Sequence, residues 1–189
     1  MKAQARTELK DGTLLLRSWR LEDVPRVTEA CQDPEIPRWT AVIPEPYTEA
    51  DARAWIEQTI RDWDEHREAA FAVTDAETGE VVGAIGLNLQ QHYALQASIG
   101  YWVAKEARGR GVATAALRLV ARWALEGLGL PRVQLLTDPA NAASRRVAEK
   151  AGFRQEGLLR RYIDARGRGR RDCLMFSLLP GELDGGDRG

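Results

Sequence analysis

The segment Arg108-Gly109-Arg110-Gly111-Val112-Ala113-Thr114 constrains this chain more than any other. Before it lies Leu95–Val103, rich in β-branched and aromatic residues, which reads as a strand. After it, Val112, Ala116, Leu117, Val120, Trp123 and Ala124 recur at helical spacing, predicting a helix over Gly111–Leu128. A strand, a glycine turn and an amphipathic helix in that order require a sheet with a helix packed on it. The glycines let successive N–H groups converge on one spot, and the helix start adds its positive dipole end. With Arg108 and Arg110 alongside, the loop is a physically sensible cradle for a diphosphate. On these residues alone, a tight surface turn and a dinucleotide fingerprint both stay open. Against the fingerprint, Thr114 stands where a third glycine belongs, and the loop follows hairpin-linked strands. A Walker A loop is excluded, since no Gly-Lys-Ser/Thr follows.

The rest of the chain supplies the other elements. Thr13–Trp19 predicts a strand and Leu21–Gln32 a helix. Asp33–Pro46 holds four prolines, which excludes a long element and predicts a structured loop. Thr48 opens a helix with Asp51 as its capping-box partner, and Ala52, Trp55, Ile56, Thr59, Ile60 and Trp63 mark its buried face. Ala70–Asp75 and Glu80–Leu89 flank the hairpin turn Glu77-Thr78-Gly79. Arg132–Thr137 is a strand, Asn141–Lys150 a helix stopped by Gly152, and Phe153–Ile163 and Arg170–Leu178 are two further strands. The order is β-α-α-β-β-β-α-β-α-β-β over 189 residues, which fits one α/β domain at roughly 150 residues per domain. Its expected extent is 13–180, with a flexible N-terminus at 1–12 and a flexible tail at 181–189.

Charge and cysteine content exclude other classes. Cys31 and Cys173 are too few for a disulfide framework or a four-cysteine zinc site, so a reduced, cytoplasmic setting is the expectation, with no metal. No apolar run of about 18 residues predicts a membrane span, and the N-terminus lacks a signal-peptide core. The net charge of −1 hides a division: residues 1–94 carry 10 Lys+Arg and 18 Asp+Glu, and residues 95–189 carry 17 and 10. The basic half contains the glycine loop, and the acidic half contains segments suited to a cationic partner.

Tyr101-Trp102-Val103, followed by the loop, resembles the acyl-CoA loop of the GCN5-related N-acetyltransferases, although the leading Arg/Gln of their motif falls here on Glu106. Asn141-x-x-Ser144-x-x-Val147-x-x-Lys150-x-Gly152-Phe153-x-x-Glu156-Gly157 is similar to the downstream motif of the RimJ/RimL-type branch. Leu16-Arg17-x-Trp19, Asp33-Pro34-Glu35-x-x-x-Arg38-Trp39 and Asp172-x-x-x-Phe176-Ser177-Leu178-Leu179 fit the same branch. The resemblance implies a single domain with a mixed, mostly antiparallel sheet, splayed at its centre and flanked by helices. It implies acetyl-CoA as co-substrate, held by Trp102, Val103, Arg108, Gly109, Arg110, Gly111, Val112, Ala113 and Thr114, with Asn141 and Ser144 near the pantetheine or the sulfur. It further implies that the Val103 N–H stabilises the developing oxyanion of the thioester.

The chemistry then needs an unprotonated amine, a polarised carbonyl and a proton for the leaving thiolate. No Gly-x-Ser-x-Gly elbow is present, and both cysteines read as small buried residues, so direct attack in a ternary complex fits better than a covalent enzyme. Many relatives carry a tyrosine on the helix after the Asn as the acid; here that position is Ala148, which leaves Ser144 as the candidate. Glu156 is the candidate base, with Asp172, His92 and His66 as weaker alternatives. The resemblance implies that the Asp33–Tyr47 loop and the acidic Thr48–Glu68 helix form one wall of the acceptor groove, with Trp39 and Tyr47 as expected substrate contacts. The acceptor is a primary amine: a protein N-terminus such as that of a ribosomal protein, a polyamine or a small-molecule amine. The resemblance allows a homodimer. Two rival readings remain: an RNA-binding hairpin built on Arg160, Arg161, Arg166, Arg168, Arg170 and Arg171, and an acyl-CoA-binding regulator without turnover. Nucleic acid and membrane are not expected partners.

Overall fold

Period-two alternation of apolar residues lays out a sheet with two buried faces. The computed structural model describes residues 6–40, 43–89, 96–164 and 169–183. Its strands are β1 (Leu9–Lys10), β2 (Leu14–Ser18), β3 (Glu68–Asp75), β4 (Val81–Asn88), β5 (Gln96–Val103), β6 (Arg132–Thr137), β7 (Arg154–Asp164) and β8 (Arg170–Leu178). They form one open sheet in the order β1-β2-β3-β4-β5-β6-β8-β7. Every neighbouring pair is antiparallel except the central pair, β5 and β6. The helices are α1 (Val24–Ala30), α2 (Glu35–Trp39), α3 (Glu49–Asp64), α4 (Val112–Arg122) and α5 (Ala142–Lys150).

The central pair decides the function of the fold. β5 and β6 pair only from Gln96↔Arg132 to Ile99↔Leu135. Beyond that point β5 stays bonded to β4 as far as Val103, while β6 stays bonded to β8 through Thr137. The sheet therefore splits at its middle, as the resemblance implied.

One face is filled by Leu16, Phe71, Ile85, Leu87, Ile99, Val133 and Phe176 beneath Leu117 and Val120 of α4. The other is filled by Ala72, Ala84 and Trp102 against Val27, Ile36 and Ile56 of α1, α2 and α3. Arg17 and Asp23 are buried among these residues and meet through two 2.8 Å hydrogen bonds. Asp23 also accepts the Arg20 N–H at 2.9 Å, so the Leu16-Arg17-x-Trp19 motif pins β2 to the turn that starts α1.

Three elements differ from expectation. Leu9–Lys10, inside the segment expected to be flexible, pair with Leu16 and Leu15 as a short edge strand. The proline-rich segment holds α2, a five-residue helix that starts after Pro34. The helix predicted over Gly111–Leu128 is regular only to Arg122; Trp123–Gly127 then widen into a π turn closed by Leu128 N–H to Trp123 O at 2.9 Å. That turn lets Trp123 stack on Trp63 and meet the edge of Phe71. The Thr48–Asp51 capping box forms as expected.

Candidate active site

The glycine loop is shaped by its backbone. Gly109 and Gly111 have φ of 75° and 81°, a region that costs a side chain about 1–2 kcal/mol. Gly111 caps α4, whose first internal bond is Ala115 N–H to Gly111 O at 3.0 Å. The N–H groups of Val112, Ala113 and Thr114 precede that bond and lack helical acceptors, so they face the loop as anion donors. Gly109, Gly111, Val112, Ala113 and Thr114 line a cleft of about 400 Å³.

On its other side α5 presents Ala143, Arg146, Val147 and Lys150 to the cleft. Asn141 caps α5 by accepting the Ser144 N–H at 3.0 Å, which fixes where the Ser144 side chain stands. Cationic and apolar side chains thus oppose the N–H cradle, the chemistry a diphosphate on an amide-bearing arm requires. Among the described residues, no group of three or more His, Cys, Asp or Glu side chains is placed to hold a metal.

The split in the sheet forms the floor of this cleft, through Tyr101, Trp102 and Val103. The Ala104 N–H turns toward β4, donating to Val82 O at 2.9 Å. Alternation along an extended strand sends the Val103 N–H to the opposite edge, into the gap that β6 has left. The Val103 carbonyl accepts Arg108 Nε at 3.1 Å, and the Arg108 guanidinium also pairs with Asp33 at 2.5 Å.

A second cavity of about 270 Å³ continues from the first. Gly100, Leu135, Thr137, Asp138, Ile163, Asp172 and Cys173 line it. Trp39, Thr40, Tyr101, Asn141 and Ser144 belong to both cavities. At the junction the Tyr101 hydroxyl and the Ser144 hydroxyl lie 3.0 Å apart. Burial pushes the Tyr101 phenol above its ordinary pKa, although the bond to Ser144 opposes the rise.

The structure brings together Trp39, Trp102, Val103, Arg108, Gly109, Gly111, Val112, Ala113, Thr114, Asn141 and Ser144. It does not bring in three expected residues. Arg110 is exposed on the loop and lines neither cavity. Tyr47 is buried in the core beneath α1 and α3, so a substrate contact is replaced by packing. Glu156 lies on β7 outside both cavities, where Arg132 grips it at 2.6 Å on each arm and Ser177 donates at 2.6 Å. These partners hold its carboxyl at a pKa of about 2, which makes it a poor proton acceptor.

Four acidic residues of the expected acceptor wall are engaged within the protein. Asp51 caps α3, Asp62 and Glu65 pair with Arg67, and Asp64 pairs with Arg6. The carboxylates beside the second cavity are Asp138 and Asp172, with Arg171 near Asp138 at 3.9 Å. Arg171 also donates to Arg38 O at 2.9 Å, so it turns inward from the arginine-rich hairpin. Arg166, Arg168 and His92 lie outside the described residues. Both cysteines are buried, as expected, and burial pushes the Cys31 thiol up to about 12.

Sequence reasoning missed Tyr101 as a reacting-group candidate, and Arg146 and Lys150 as cleft residues. The i, i+4 spacing of Arg146 and Lys150, on the helix that carries Ser144, was the available signal. Nothing in the sequence signals the Tyr101–Ser144 contact, which spans 43 positions.

The chain is similar in sequence and fold to known proteins. The family model described as Acetyltransferase (GNAT) domain matches residues 13–154. The N-acetyltransferase p20 of Bacillus licheniformis, a protein of uncharacterized activity, is 32% identical over 91% of this chain and 96% of its own. The Bacillus subtilis protein named "Putative ribosomal N-acetyltransferase YdaF" is 38% identical over 57% of this chain and 58% of its own. Mycobacterium smegmatis RimJ, solved in complex with CoA-disulfide, superposes with a TM-score of 0.81 at 25% identity, over 96% of this chain and 90% of that one.

Proposed function

Because this chain belongs to the GNAT acetyltransferases, and is thus an acetyl-CoA-dependent N-acetyltransferase, we propose that it acetylates the α-amine of a protein or peptide by direct attack in a ternary complex. One observation carries the reading: a cleft headed by the glycine loop opens, at Tyr101 and Ser144, into a second cavity. The first cavity suits acetyl-CoA and the second an acceptor, so thioester and amine meet at the wall between them. The name of YdaF, which calls it a ribosomal N-acetyltransferase, supports a protein acceptor.

In this reading the N–H groups of Val112, Ala113 and Thr114 hold the diphosphate, with Arg146 and Lys150 adding charge from α5. The Val103 N–H meets the thioester oxygen as it becomes anionic, a contact that strengthens only in the transition state. Ser144 gives a proton to the departing thiolate. An α-amine, with a pKa of about 7.7–8.0, is already substantially neutral near pH 7.5, whereas a lysine amine near 10.4 requires a strong base. The acceptor that demands least of the enzyme is therefore the α-amine.

The test measures thiol release from acetyl-CoA in the presence of peptides with free N-termini, polyamines or aminoglycosides. Peptides should give the highest kcat/KM, and acetyl should be found by mass spectrometry on the N-terminal nitrogen. Turnover with polyamines or aminoglycosides alone would overturn the acceptor assignment.

A further inference from the structure

We propose that Tyr101 and Ser144 form a two-hydroxyl relay that carries a proton from the attacking nitrogen to the departing sulfur. The proposal rests on the acyl-transfer reading above and assigns the proton path within that site.

The two oxygens lie 3.0 Å apart, and both residues line both cavities. Each hydroxyl donates one hydrogen bond and accepts others, so a chain through the pair can run from one cavity to the other. Both partners are fixed from behind. Tyr101 sits on β5 opposite Ile85 of β4, and Ser144 is held by the Asn141 cap. The raised pKa of the Tyr101 phenol keeps it in the O–H form that a relay needs at neutral pH.

The step balances. The neutral amine adds to the thioester carbonyl, and an N–C bond forms. The nitrogen then holds one surplus proton, while the breaking C–S bond leaves the electron pair on sulfur. Tyr101 oxygen takes the proton from nitrogen as its own O–H proton passes to Ser144, and the Ser144 proton passes to sulfur. Nitrogen loses one proton, sulfur gains one, and both hydroxyls end as they began.

The experiment compares native protein with Tyr101→Phe, Ser144→Ala and the double variant. Acetyl-CoA is paired with a free-N-terminus peptide, spermidine and an aminoglycoside, and thiol release is followed. Each single change should lower kcat at least about tenfold. The double variant should lie within about twofold of the slower single, because the two residues act as one path. Affinity for coenzyme A, by calorimetry, should fall by a smaller factor than kcat in each variant, separating a lost relay from a lost fold or cleft. In mixtures of light and heavy water the native rate should bend with deuterium fraction, and the Tyr101→Phe rate should follow a straight line. Native-like kcat in Tyr101→Phe, or losses that multiply in the double variant, would overturn the relay while leaving acyl transfer intact. Failure of the native protein to release thiol with all three amines would overturn the acyl-transfer reading, and the relay with it.

Discussion

The Asp33 carboxylate holds the Arg108 guanidinium at 2.5 Å, while the same guanidinium donates to the Val103 carbonyl at 3.1 Å. One arginine thus ties the segment ahead of α2 to the glycine loop and to the strand at the floor of the cleft. Its charge also lies at the mouth of a cleft suited to a diphosphate.

Arg108→Ala removes both the brace and the charge. The KM for acetyl-CoA should rise about tenfold, in line with one charge-assisted contact, and the rise should shrink as salt increases. Asp33→Asn keeps the charge and loosens only the brace, so its effect on KM should be smaller. Initial rates at two ionic strengths decide the matter; equal KM values for Arg108→Ala and native protein would remove Arg108 from cofactor binding.

Gly111→Ala and Gly109→Ala place a side chain at φ of 81° and 75°. Each should cost about 1–2 kcal/mol of stability if the loop keeps its shape. If the loop relaxes instead, the stability loss shrinks and the N–H cradle is lost, so the KM for acetyl-CoA climbs. Thermal unfolding and steady-state kinetics on the same samples should show one cost or the other. A variant that pays neither contradicts the cradle.

The Arg17–Asp23 pair is nearly closed to solvent, with side chains 10% and 9% exposed. Asp23→Ala leaves a buried guanidinium without its partner and should destabilise by about 3–5 kcal/mol in urea unfolding. Replacing both residues with apolar ones of similar volume should recover much of that loss. If the double variant proves no better than Asp23→Ala, the cost lies in packing and not in the stranded charge.

Glu156 tests the sign of a titration. Its folded pKa is lowered to about 2 by Arg132 and then Ser177, while an unperturbed Glu titrates near 4.3. Its stabilisation is therefore present above about pH 4.3 and disappears as pH falls toward 2. The side chain is 42% exposed, so the screened effect should stay below about 1 kcal/mol. Glu156→Gln should be slightly less stable than native at pH 7, match it near pH 2, and keep the native pH dependence of kcat. A lost acidic limb in that profile would return Glu156 to the reaction as its base.

How far the sequence reached depended on whether a signal was local. Gly109, Gly111 and the helix after them declare the cradle within seven residues, and Asn141-x-x-Ser144 declares a cap and a side chain one turn on. The strand order could not be read from residues alone; family likeness supplied the split sheet. Tyr47 and Glu156 were misplaced because their partners are distant in sequence. Nothing near Tyr47 reveals that α1 and α3 close over it, and Glu156 meets Arg132 across 24 positions. The acidic residues of the α3 segment read as a wall for substrate because their ion pairs, Asp64 with Arg6 and Asp62 and Glu65 with Arg67, appear only in three dimensions. Trp39 was singled out because its proline-rich segment reads as irregular, although that segment folds as α2, and Tyr101 was passed over because a tyrosine in a strand is ordinarily packing.

The short seam between β5 and β6 has a mechanical consequence. Four residue pairs, Gln96–Ile99 with Arg132–Leu135, join a five-stranded plate to a three-stranded one. No other ladder crosses between the two plates, so the single hydrophobic core under α4, which takes Leu16, Phe71 and Ile85 from one plate and Val133, Leu135 and Phe176 from the other, sets how far apart they stand at Tyr101.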